Sequence, residues 1–230
     1  MADGVQAAGT ALSDAVGDVL QAVKPRLRGV LHEGAFFVSL VSGVVVVLLA
    51  GSTRARLATA IYAASVTLLF GTSALYHRRD WSPRARAVMK RLDHSMIFVL
   101  IAGTYTPFAL LVLHGRAVPV VLSIAWGGAA LGIALRMIWL GASRWLVIPL
   151  YIGLGWIGVT IFPQLLHRGV LTLLLVLLGG LFYSLGAVVY AAKRPDPSPS
   201  TFGYHEVFHA LTLAAFVVHY TAVSLVAYRP

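Results

Sequence analysis

His205-Glu206-Val207-Phe208-His209 leads into a run, Val207 to Tyr228, without a single Asp, Glu, Lys or Arg. A helix needs about 20 apolar residues to cross the hydrocarbon of a bilayer, and this run is long enough. Six more charge-free runs precede it: Gly34 to Thr53, Leu57 to His77, Ser95 to Gly115, Ala117 to Leu135, Trp145 to His167 and Gly169 to Ala192. With 59% hydrophobic and 11% charged residues among 230, the chain is too apolar for an ordinary soluble domain. The expected fold is an all-α integral membrane protein with seven transmembrane helices. These consume most of the chain, so residues 1–230 form a single membrane domain.

Outside the spans, residues 11–31 carry an apolar stripe (Leu12, Val16, Val19, Leu20, Val23, Leu27) bordered by Asp14, Asp18, Gln21, Lys24 and Arg28. This pattern predicts a short interfacial helix before the first span, with residues 1–10 flexible. No basic leader with a short apolar core and a cleavage site precedes that span, so no cleaved signal peptide is expected. The net charge of +10 does not point to nucleic acid, because Lys and Arg cluster in membrane-proximal loops. There they set topology and attract anionic headgroups. The N-terminus and the second, fourth and sixth loops gather 13 of them, against 5 on the other side (Arg54, Arg56, Arg116, Arg168 and Arg229). The positive-inside rule therefore puts the N-terminus in the cytoplasm and the C-terminus outside.

This topology brings His77, Asp93, His205 and His209 to one depth near the cytoplasmic face. His77 ends span 2, Asp93 and His94 open span 3 after a basic loop around Trp81-Ser82-Pro83, and His205 and His209 lie one turn apart on span 7. With no cysteine in the chain, a transition metal must be held by His, carboxylate or water. Three imidazoles with a fourth position for water match a catalytic Zn2+ site, with Asp93 placed to orient or deprotonate that water. Ser73 lies four residues before His77 on the same face, where its hydroxyl can bond the water, a substrate carbonyl or a ligand, or simply the carbonyl of Leu69. His32, His94, His114 and His167 read as headgroup-level side chains. His219, 14 residues beyond His205 and about 21 Å further along the helix, is too deep to share the ion. His205-Glu206-x-x-His209 also matches the metalloprotease signature with Glu206 as base, in which case Asp93 would be the third ligand and His77 idle.

Ser73-x-x-x-His77, Leu92-Asp93-His94-Ser95, Gly103-Thr104-Tyr105-Thr106-Pro107 and Phe202-Gly203-Tyr204-His205-Glu206-Val207-Phe208-His209, in this order on seven spans, resemble the bacterial hemolysin III branch of the progestin and adipoQ receptor family. The resemblance begins at about Leu31, although the family's lead-in to span 1 is kept only as His32 and Glu33. It implies zinc held by His77, His205 and His209, an Asp93 contact to the zinc-bound water, a multi-pass protein of the bacterial plasma membrane, and Glu206 as a usual residue of this branch. It also implies a ceramidase-like hydrolase of a lipid amide or ester, with membrane lipids as partners and Ser73 assisting at the oxyanion. A receptor or lipid sensor with structural zinc is the alternative, and a haemolysin-like cytolytic protein the third.

Overall fold

The computed structural model describes residues 25–139 and 144–228. The expected interfacial helix therefore lies outside the described residues except for Pro25 to Leu31, which form a turn and the start of the first helix. The elements are α1 (Val30–Leu48), α2 (Thr53–Arg78), α3 (Pro83–Val112), α4 (Ala117–Ile138), α5 (Arg144–Trp156), a 3-10 turn (Ile157–Ile161), α6 (Phe162–Arg168), α7 (Val170–Ala192) and α8 (Tyr204–Tyr228). Seven segments among the described residues are long and apolar enough to cross a membrane, with α5, the turn and α6 together making the fifth.

Two spans depart from their expected form. Span 3 does not begin at Asp93 but ten residues earlier in the helix α3, because Ser82 accepts the Ala85 N–H (3.4 Å) and Pro83 occupies the first turn. A Ser cap followed by Pro starts a helix wherever the next residues tolerate one, and the basic stretch Arg84 to Arg91 does. Span 5 is not one continuous helix but is broken at Ile157–Ile161. Tyr105, from the motif on α3, fills the break: its hydroxyl faces the carbonyls of Leu154 (3.2 Å) and Gly155 and accepts the Gly158 N–H at 2.6 Å. Backbone groups freed inside a membrane need such a partner.

The helices differ in how much they bury. Half or more of the apolar windows of α2, α3 and α8 are buried (50%, 67% and 50%), against 22% for α4 and 17% for α7. The inner faces carry small residues: Ala55, Ala58 and Ser65 on α2, Ala102, Gly103 and Ala109 on α3, and Ala215, Ala222 and Ala227 on α8. A methyl added at Gly103 would lie 2.2 Å from Ser65 Oγ, so this glycine sets how closely α2 and α3 approach. α8 packs on α7 and also touches α1, α2 and α3, which closes the bundle around one core containing Tyr62, Phe70, Phe98 and Phe216.

Candidate metal centre

His205 and His209 project from the first two turns of α8, and His77 from the last turn of α2. One ring nitrogen of each lies within 4.8 Å of the others. The tightest pair is His77 Nε2 and His205 Nε2, 3.1 Å apart. Two nitrogens bound to one tetrahedral zinc at ordinary bond lengths stand about 3.3 Å apart, so the donor set and its spacing suit such an ion. His77 and His209 are buried.

The start of α8 is held by its own acids. Glu206 Oε2 accepts the Gly203 N–H (2.9 Å), Asp196 Oδ1 accepts the Tyr204 N–H (2.8 Å), and Glu206 Oε1 stands 2.6 Å from Arg28 Nε. The glutamate at the third helical position thus reaches back to cap the helix, which also favours negative charge at that end. Both oxygens of a fully buried carboxylate are engaged, and neither is available as the base of a metalloprotease. The segment before α1 seals the same corner. Arg26 N–H and Leu27 N–H donate to the carbonyls of Ser200 and Thr201 at 3.0 and 3.2 Å. Gly29 has φ 81°, and a Cβ there would lie 2.7 Å from His77 Cβ. Only glycine takes that conformation against that neighbour without strain.

His32 is buried in the bundle rather than exposed at a span end. It is 2% exposed, its ring stacks on His209 (centroids 3.7 Å apart, 10° between planes), and its Nδ1 meets Ser73 Oγ at 2.8 Å. Ser73 is thereby drawn to another helix rather than back to Leu69, and it lines the same cavity as Asp93. The signal for His32 was the buried face of α1, His32, Ala35, Ser39, Gly43 and Val46, a small and polar stripe in an otherwise Val, Leu and Phe helix. His94 has a partner inside the bundle as well, with its Nδ1 2.6 Å from Arg136 Nη2. His114 and His167 are exposed. His219 stands apart from the cluster, with Nε2 3.1 Å from the Val176 carbonyl.

Ser73, Asp93, His205 and His209 line the wall of a cavity of about 420 Å³ that runs on past Phe108, Trp156, Phe162 and Leu177 to His219. A polar cluster thus opens onto an apolar chamber.

The family model for haemolysin-III related proteins matches residues 20–220. The chain belongs to that family. Among its relatives, this haemolysin-III related protein is 32% identical to Hemolysin-3 of Bacillus cereus over 148 residues, 63% of this chain and 66% of that one. It is 30% identical to the Hemolysin-3 homolog of Bacillus subtilis (strain 168) over 154 residues, 66% of this chain and 69% of the relative. The matched stretch therefore spans just under two thirds of the Bacillus cereus protein. Family and helix count together make the chain a multi-pass membrane protein, consistent with the bacterial plasma membrane.

Proposed function

We propose that this haemolysin-III family protein is a zinc-dependent hydrolase of a lipid amide or ester, with its site near the cytoplasmic face. The observation that carries the reading is the set of three imidazoles within 4.8 Å of one another, two of which, His205 and His209, line the wall of a largely apolar cavity together with Asp93 and Ser73. His77, His205 and His209 are the residues that would hold the ion. Zinc, when bound, supplies Lewis acidity that polarises a carbonyl and makes water nucleophilic near neutral pH. Asp93 accepts the proton of the attacking water. Ser73, held by His32, donates its hydroxyl to the carbonyl oxygen as negative charge develops there. The cavity receives the acyl chain and keeps bulk water from it. The cytoplasmic placement rests on the excess of Lys and Arg at that end of the spans.

The same cluster joins α2 to α8, which favours a second reading, a receptor or lipid sensor in which zinc ties the helices together. One purification separates the two. Zinc content is measured on the wild-type protein and on His209→Ala, and fatty acid release is followed from ceramide-like and phospholipid substrates. The hydrolase reading expects about one zinc per chain, loss of the metal in His209→Ala, and release that falls about a hundredfold or more in Asp93→Asn with zinc retained. Bound zinc with no release from any substrate would remove the enzyme and leave the sensor. No zinc at all would remove both. The name of the Bacillus cereus relative raises cytolysis, for which dye leakage from liposomes is the direct measurement.

A further inference from the structure

Arg136 lies in the last turn of α4, is 4% exposed, and lines the same cavity as the histidines. Its Nη2 meets His94 Nδ1, while its Nε is buried without a hydrogen-bond partner. A guanidinium does not give up its charge, and a buried charge within a membrane protein calls for an opposite one. Among the described residues no carboxylate stands within ion-pair distance of it: Glu33 and Glu206 pair with Arg78 and Arg28. Asp93, next to His94 in the chain, lines the same cavity but makes no ion pair with Arg136. The His94 ring accepts at Nδ1 and so is neutral in this contact. Its backbone is held in turn by Tyr151, whose hydroxyl donates to the His94 carbonyl at 3.1 Å.

Lys90 adds a second cation. It also lines the cavity, one turn before His94 on the same face of α3. One end of a largely apolar chamber thus carries two positive side chains. Beyond the polar cluster of Ser73, Asp93, His205 and His209, its wall is mostly hydrocarbon, with Phe108, Phe162, Val176 and Leu177.

We propose that the Arg136 end of the cavity binds the anionic head, a phosphate or carboxylate, of a single-chain amphiphile whose hydrocarbon lies along the chamber. The planar fork of a guanidinium matches two oxygens of such a group, and burial strengthens the contact. A chamber of about 420 Å³ is of the size that encloses a small ligand. The site uses no atom of the three metal-binding imidazoles, so it stands whether or not they carry an ion.

The test uses the full chain in a neutral maltoside detergent, with binding of dodecyl phosphate, dodecanol and inorganic phosphate measured by calorimetry and by thermal stabilisation. Dodecyl phosphate is expected to bind saturably and at least about tenfold more tightly than either of the others. Arg136→Gln is expected to remove that advantage, Arg136→Lys to keep part of it, and Lys90→Gln to weaken it less. Equal binding of dodecanol and dodecyl phosphate, or unchanged affinity in a folded Arg136→Gln, would overturn the site. Inorganic phosphate binding as tightly as dodecyl phosphate would overturn the amphiphile. If Arg136→Gln does not fold, the three probes on the wild-type protein decide the matter alone.

Discussion

The inner helices α2, α3 and α8 and the outer helices α4 and α7 are all apolar enough to cross a membrane, yet they are used in opposite ways. The inner three meet through Ala, Ser, Gly and Thr and carry the polar cluster, whereas α7 turns Leu171, Leu174, Leu178, Leu181, Leu185 and Val188 outward. In lipid a leucine gains little by leaving the surface, because the solvent is as apolar as the core. Close packing of small residues and satisfied polar groups hold such helices together instead. Apolarity therefore marks which segments span, and the small and polar residues mark which of them meet.

The strongest way to break this contrast is at the sealed corner of the inner bundle. Arg28→Ala leaves the buried Glu206 carboxylate without its cation and should cost about 3 kcal/mol or more, read as a large fall in thermal midpoint in detergent. A Glu206→Gln protein that stayed fully stable but lost hydrolysis would instead return that residue to catalysis. Gly29→Ala comes next. Its positive φ and the 2.7 Å approach to His77 Cβ predict a loss of about 2 kcal/mol, together with weaker metal retention in dialysis against a chelator. Tyr105→Phe tests the seam between inner and outer parts. Removing the hydroxyl orphans the Gly158 N–H, for about 1 to 2 kcal/mol, and should raise amide hydrogen exchange in the 3-10 turn. Smallest of all, Leu181→Ala on the outer face of α7 should change stability by less than about 0.5 kcal/mol. A loss comparable to that of Gly29→Ala would mean that this face is covered by protein rather than lipid.

Seven spans were legible because a charge-free run of sufficient length has almost no other use, and that inference needs only the chain itself. The three-histidine cluster was legible for a related reason. His205 and His209 share a helical face by spacing, and alternating crossings bring His77 to the same end of the bundle. The starts and breaks of the helices were harder. The basic residues after Pro83 read as loop, but helix formation there is decided by the Ser82 cap rather than by apolarity. The break in span 5 is held open by Tyr105 of another helix, and no local pattern in Trp145 to Arg168 announces that.

His32 and His94 mark the same boundary within the site. Each reads in the sequence as a lone imidazole near a span end, where snorkelling to the headgroups is the ordinary outcome. The bundle instead presses one against His209 and Ser73 and sets the other against Arg136. Membership of a membrane, the number of crossings and a three-imidazole cluster follow from hydrophobic length and helical period, which are properties of single segments. The partners of His32, Arg136 and Glu206 depend on the angles and offsets at which helices meet. Those are set jointly by small residues on facing surfaces, so they emerged only once the helices were packed.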